Sequence, residues 1–292
     1  MTQLLCCGLG YSAAAVAGRL RAEGWRVTGT SRSREGAARL ATQGFAGLVF
    51  DGQAPSAEVT AALATTTHAL VTAPPDALGD PLLRLHGADL ARAAHLGWIA
   101  YLSTVGVYGE HGGGWVDEAT APKPGSTRSR QRYLAETQWQ ELAAQTGRRL
   151  FVLRLAGIYG PGRNALETLR AGTARRIIKP GQVFNRIHVA DIASACLTMM
   201  APASAPGVYN VTDDEPAPPQ DVIAFAAGLL GLPVPPDQPF DTAELTPMAR
   251  SFYAENKRVA NRKLGAALAV RLAFPTYREG LMALRTETGR EV

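Results

Sequence analysis

Gln3-Leu4-Leu5-Cys6-Cys7-Gly8-Leu9-Gly10-Tyr11-Ser12-Ala13 is the stretch on which the fold turns. A short apolar run leads into G-x-G-x-x-A, and Ser12–Glu23 continues with apolar residues at helical spacing. Gly8 permits a tight strand-to-helix turn. Gly10 lets backbone N–H groups approach a pyrophosphate at the positive end of the helix. Ala13 is small enough for helix and strand to pack closely. The same residues make a near miss to a nucleophile elbow, Gly10-Tyr11-Ser12-Ala13-Ala14. It follows the first strand and lacks the second glycine, which argues against a hydrolase.

Outward from the loop, short apolar runs alternate with helical patterns. Strands are read at Gln3–Cys7, Trp25–Thr30, Leu48–Phe50, His68–Ala73 and Trp98–Ser103, with helices at Arg34–Gln43, Ser56–Thr66 and Asp80–Leu96 between them. Such alternation predicts an α/β fold, a Rossmann-type doubly wound parallel sheet covered on both faces. Tyr108–Ser126 is rich in Gly and Pro and reads as a loop over the carboxyl edge of the sheet, followed by a helix at Thr127–Gln145 and a strand at Arg149–Arg154. Residues 1–160 are expected to form the dinucleotide-binding domain, with 186–211 returning to its sheet, and 161–292 a smaller substrate-binding lobe.

The end of the second strand bears on cofactor choice. An NAD site presents an acid to the ribose hydroxyls there. This chain has Gly29-Thr30-Ser31-Arg32-Ser33-Arg34, with no acid. An acid would repel a 2′-phosphate, whereas Arg32 can grip one through a charge-assisted bond. NADP is expected, in preference to NAD. The cofactor residues read here are Gly8, Gly10, Tyr11, Ser12, Ala13, Ser31 and Arg32.

Composition narrows the class. The 292 residues are 46% hydrophobic, enough for a sizeable core. Net charge is +5, from 30 Lys+Arg and 25 Asp+Glu, and no run of five like charges occurs, which argues against nucleic acid. Cys6, Cys7 and Cys196 show neither metal spacing nor a disulfide framework, so no metal is expected and a reducing compartment fits. The apolar stretch from Leu4 has no basic residue before it, and Val222–Val234 is too short to span a bilayer. A soluble cytoplasmic protein without membrane contact is expected.

Four further motifs follow in order. They are Leu102-Ser103-Thr104-Val105-Gly106-Val107-Tyr108-Gly109, Arg154-Leu155-Ala156-Gly157-Ile158-Tyr159-Gly160-Pro161-Gly162, Ile187-His188-Val189-Ala190-Asp191 and Gly207-Val208-Tyr209-Asn210-Val211. Together with the glycine loop they resemble the extended short-chain dehydrogenases/reductases, the NAD-dependent epimerase/dehydratase family, over nearly the whole chain. The resemblance implies that Thr104 hydrogen-bonds a substrate carbonyl or alcohol and that Asp51 lies near the adenine. Ala73, Pro74, Ala156 and Ile158 would line the cofactor. His188 reads as a strand-end residue with a satisfied ring, and Asp191 as an acid favoured by the helix dipole.

The sequence departs from the family in one helix. The family reaction uses a Tyr with Lys four residues later. Here that helix reads Arg128-Ser129-Arg130-Gln131-Arg132-Tyr133-Leu134-Ala135-Glu136. Aligned on Glu136, Arg128 takes the Tyr position and Arg132 the Lys position. A guanidinium does not give up its proton in a protein, so Arg128 is not a base, whereas Arg132 can supply charge to the nicotinamide ribose. Tyr133, Tyr108 and His111 are the replacement proton donors to consider. Tyr253 and Lys257 have the family spacing but lie far past the sheet and read as chance. Phe184 stands where nucleotide-sugar members carry an Arg, with Arg186 nearby.

This pattern resembles the atypical extended members that lack the Tyr/Lys pair. That subgroup implies a fold and a cofactor and no particular chemistry; the function expected here is an NADP-dependent oxidoreductase or epimerase acting on a small hydroxyl- or carbonyl-bearing molecule, with a nucleotide-sugar-like one disfavoured by Phe184. The alternative is a catalytically inactive NADP(H)-binding redox sensor or regulatory module. Leu134, Trp139 and Leu142 on the Thr127–Gln145 helix predict a homodimer.

Overall fold

A computed structural model of the chain describes residues 2–288. In chain order the first half reads β1 (Gln3–Cys7), α1 (Tyr11–Ala22), β2 (Arg26–Ser31), α2 (Arg34–Thr42), β3 (Ala46–Val49), α3 (Ala57–Thr65), β4 (His68–Val71), α4 (Pro81–Arg92) and β5 (Trp98–Thr104). It continues with β6 (Trp115–Val116), α5 (Thr127–Thr146), β7 (Arg149–Leu155), β8 (Gly157–Tyr159), α6 (Ala165–Arg170), β9 (Arg176–Ile178), β10 (Arg186–His188), α7 (Val189–Met200) and β11 (Gly207–Val211). The remainder includes α8 (Pro219–Leu230), β12 (Asp237–Pro239), α9 (Pro247–Phe252), β13 (Arg258–Val259), α10 (Arg262–Leu268) and α11 (Tyr277–Thr288).

Seven strands form one parallel sheet in the order β11-β7-β5-β4-β1-β2-β3. Strand order reverses beside β1, which pairs with β2 through Leu5 opposite Thr28 and with β4 through Leu5 opposite Ala69. In open α/β sheets that reversal leaves a crevice at the carboxyl ends of the strands. All five residues of β1 are buried, as expected for a central parallel strand covered on both faces.

Local signals explain where the helices begin. Ser33 caps α2 by accepting from the Gly36 N–H at 3.1 Å, and Ser56 caps α3 by accepting from the Val59 N–H. Asp80 caps α4, taking the Leu82 and Leu83 N–H groups on one oxygen, with Pro81 at the first helical position. Burial pushes the Asp80 carboxyl above the usual carboxylate range. Between sheet and helices lies a core that includes Leu5, Val59, Leu63, Leu90, Ile99, Tyr101 and Trp139. Each of its larger aliphatic side chains contributes about 1.5–3 kcal/mol by leaving water.

The chain divides into two compact units. The first comprises Met1–Val107, Ser126–Arg154 and Ile192–Tyr209; the second comprises Tyr108–Gly125, Leu155–Asp191 and Asn210–Val292. The second has its own core, with Tyr159, Leu166, Val222, Ala226, Tyr277 and Leu281 buried together. Tyr108–Ser126 contains a short strand, β6, which pairs in parallel with β13 through Val116 and Val259. Among the described residues, no helix is long and apolar enough to cross a membrane.

Candidate cofactor site

The glycine loop is shaped by backbone contacts that a side chain would break. Gly8 has φ +86, and a Cβ there would lie 3.0 Å from the Ala73 nitrogen and 3.1 Å from the Thr72 hydroxyl. Both the left-handed backbone and the close approach require glycine. Gly10 differs. It is the N-cap of α1 in extended backbone, and a Cβ there would meet nothing within 4 Å. Its small size therefore serves no internal packing; it leaves room outside the loop, in front of a helix end that carries no acidic residue in its first turn.

A crevice of about 540 Å³ opens beside the loop. Gly8, Gly10, Ser31, Arg32, Asp51, Ala73 and Pro74 all line it, although they come from the ends of four strands. Tyr11, Ser12 and Ala13 start α1, and Ala13 is fully buried under the helix. Ala156 and Ile158 belong to the second unit, where Ile158 pairs with Ile187.

At the end of β2, Ser31 is folded back toward α2, against the spot a Cβ on Gly36 would fill. Arg32 is exposed, lines the crevice, and makes no side-chain hydrogen bond or ion pair among the described residues. The nearest acid in sequence, Glu35, does not line the crevice. Its own N–H and the Ser33 hydroxyl hold its carboxyl below the usual range.

Two strands from β1 along the same carboxyl edge, the end of β5 is built differently. Thr104 ends β5, and its Oγ1 accepts the Gly106 N–H at 3.1 Å. Buried Ser129 presses on the same glycine, with its Oγ 2.9 Å from where a Cβ would stand. Arg132 reaches back across β5, donating to the Leu102 carbonyl at 2.9 Å and to the Tyr101 hydroxyl at 3.1 Å. Its guanidinium also lies 5.5 Å from the Tyr101 ring centroid. Arg128, one turn earlier, is exposed, as is Tyr133. Behind them Glu136 is fully buried, accepting from Arg154 at 2.8 Å and from the Ser103 hydroxyl.

Among these, the sequence points to Glu136 only as an alignment anchor. Its partners escape a sequence reading because they come from β5 and β7, and no local spacing links them. Trp139 is also placed otherwise than expected for a dimer surface. It is buried on its own sheet, 6.2 Å from the Tyr101 ring, while Leu134 stays exposed.

In the second unit, the alternative proton donors are engaged. Tyr108 is fully buried, donating to Asn210 Oδ1 at 2.7 Å, and His111 Nε2 donates to the Tyr108 carbonyl. Tyr253 packs between Phe184 and Phe240, and Lys257 donates to the Gly109 carbonyl and to Glu255. Helix α9 ends at Phe252, so the four-residue spacing of Tyr253 and Lys257 puts them on no common helix face.

His188 corrects the expectation of a satisfied ring. Nδ1 accepts the Ala190 N–H and the ring packs on Phe274 at 4.1 Å, but Nε2 is buried without a partner. Burial lowers its pKa to about 4. Asp191 does more than face a helix dipole: it accepts the Ala273 and Phe274 N–H groups, tying that segment to α7. Arg186 is spent on the Phe184 and Ala217 carbonyls.

These features coincide with a known family. The profile of the NAD dependent epimerase/dehydratase family matches residues 7–212, and the chain belongs to that family. A solved structure from Silicibacter pomeroyi, described as a functionally unknown conserved protein, is 49% identical with a TM-score of 0.88, covering 99% of both chains. The Thermus thermophilus UDP-glucose 4-epimerase in complex with NAD shares the fold, with a TM-score of 0.75 and 20% identity over 100% of each chain.

Curated relatives are more distant. A Streptomyces 3-diazoavenalumate denitrifying reductase is 30% identical over 174 residues, which is 55% of this chain and 54% of that protein. The match thus spans about half of the reductase. Protein YeeZ from Escherichia coli K12 is 28% identical over 247 residues, covering 80% of this chain and 86% of YeeZ.

Proposed function

We propose that this protein is an NADP-dependent oxidoreductase or epimerase acting on a small hydroxyl- or carbonyl-bearing molecule. The observation that carries the cofactor reading is the pairing of an uncommitted Arg32 with a crevice wall that has no acid at the end of β2. Gly8 and Gly10 would admit the pyrophosphate, Asp51, Ala73 and Pro74 would flank the adenine half, and Arg32 would take the 2′-phosphate. A nicotinamide cofactor, when bound, supplies a hydride acceptor or donor. Support for a nicotinamide cofactor as such, NAD or NADP, comes from the family and from the NAD complex of the Thermus epimerase.

On the substrate side Thr104 would orient a carbonyl or alcohol through its hydroxyl. Arg132 would hold positive charge at the family's Lys position without exchanging a proton, and Arg128 would meet anionic substrate groups from its exposed place. The reductase name of the Streptomyces relative favours turnover over a purely regulatory role. Calorimetry tests the cofactor reading. NADP+ should bind the wild type more tightly than NAD+, and Arg32→Ala should erode that preference by roughly ten- to a hundredfold. Equal affinities in the wild type would overturn it.

A further inference from the structure

We infer that Thr30 and Thr72 are positioning residues that clamp Gly8 from both sides and set the loop for a pyrophosphate before any ligand arrives. This rests on the cofactor reading above. The Gly8 N–H donates to Thr30 Oγ1 at 2.8 Å, and the Thr72 hydroxyl donates to the Gly8 carbonyl. One residue thus has both its backbone polar groups held by side chains from two different strand ends, 22 and 64 positions away in sequence.

The clamp is itself anchored. The Thr72 and Ala73 N–H groups both donate to the Cys7 carbonyl, at 2.9 and 3.0 Å. The Thr30 carbonyl accepts the Leu9 N–H at 3.1 Å, and the Gly8 carbonyl accepts the Gly10 N–H at 2.9 Å. The N–H groups of Gly8, Leu9 and Gly10 are therefore all used within the protein. An incoming anion is left to the first turn of α1, whose backbone N–H groups have no acceptor inside the helix. Thr30 is buried and Thr72 half-buried, and both line the crevice, so the clamp forms its floor. A loop held this way keeps its open approach at Gly10 without needing the ligand to order it.

The test compares two ligands. Thr30→Val and Thr72→Val keep the shape and remove the hydroxyl. Each should weaken NADP+ binding by roughly two- to tenfold in calorimetry. Adenosine 2′-monophosphate, which has no 5′-phosphate, should keep its wild-type affinity by NMR titration, as should adenosine. Thr30→Ser and Thr72→Ser should restore NADP+ binding. Should Thr30→Val fail to fold, the half-buried Thr72→Val carries the comparison alone.

Unchanged NADP+ affinity in the Val variants would overturn the clamp while leaving the cofactor reading intact. An equal loss for NADP+ and adenosine 2′-monophosphate would also overturn it, because the threonines would then only hold the fold. A wild type that binds neither NADP+ nor NAD+ would overturn the cofactor reading itself, and the clamp with it.

Discussion

The surroundings of Gly8 and Glu136 in the first unit and those of His188 and Asp213 in the second hold their buried polar groups differently. In the first, Thr30, Thr72, Ser103, Glu136 and Arg154 all hydrogen-bond within the protein. In the second, Asp213 Oδ2, His188 Nε2 and the Tyr277 hydroxyl are buried without partners; the first unit holds such atoms too, at Asp80 Oδ2, Trp139 Nε1 and Arg148 Nε. Paired groups fix a geometry in advance. Buried unpaired ones are destabilising, and they concentrate where function rather than stability set the residue. At these places the first unit holds polar groups in a fixed geometry, while the second keeps buried groups that stability alone does not explain.

Breaking the paired side has the largest expected effect. Glu136→Ala leaves Arg154 charged, buried and without its carboxylate. The loss should be about 3–5 kcal/mol of stability, read by urea denaturation. A loss under about 1 kcal/mol would show that the pair does not organise this end of the unit.

The two loop glycines sharpen the same point. Gly8→Ala should lose about 1–3 kcal/mol, since it strains a positive φ and collides with the Ala73 backbone. Gly10→Val should melt like the wild type yet abolish NADP+ binding, because its side chain occupies open space in front of α1. Equal melting losses in the two variants would contradict the distinction.

The unpaired side has a signature in pH. Burial pushes the Asp213 carboxyl up to about 8, against the attraction of Arg186. Between about pH 4 and 8 the native carboxyl keeps a proton that the unfolded one has released, so stability falls as pH rises through that window. The slope from this group is on the order of 1 kcal/mol per pH unit. His188, lowered to about 4 by burial, acts oppositely between pH 4 and 6.5, where acidification favours the unfolded, protonated ring. The Asp213 contribution is therefore clearest from about pH 6.5 to 8. Asp213→Asn should flatten that range in urea denaturation curves, and an unchanged slope would show that Asp213 holds no proton there in the native state.

Much of the first unit can be read from residue order. G-x-G-x-x-A sits between β1 and α1 as expected, and Ser31, Arg32, Asp51, Ala73 and Pro74 converge on one crevice. Strand β3, expected at Leu48–Phe50, runs over Ala46–Val49. Gly47 lies in this strand, and it is glycine because the Ala37 carbonyl of α2 leaves no room for a Cβ there, a packing constraint that strand propensity does not carry. Strand β6 has two residues and pairs with a segment more than 140 positions later, so no periodicity could announce it. Helix α4, expected to reach Leu96, stops at Arg92, and Leu96 is buried in the turn that follows. The Thr30–Gly8–Thr72 clamp and the Glu136–Arg154 pair depend on strand neighbours, which only the sheet order brings together.

In the proposed function this chain keeps the family's grip on a dinucleotide while two guanidiniums, Arg128 and Arg132, stand where the sequence alignment puts a proton-exchanging Tyr/Lys pair. The most direct measurement is NADPH oxidation with a panel of aldehydes and ketones, comparing the wild type with the Arg128→Tyr/Arg132→Lys double variant. Positioned acid–base catalysis is worth roughly 100- to 10,000-fold. The double variant should therefore exceed the wild type by about 100-fold or more, and either single variant should fall well short of it. A fast wild type that the double variant slows, with activity abolished by Tyr253→Phe, would overturn this reading of the helix and move the proton donor to Tyr253 and Lys257.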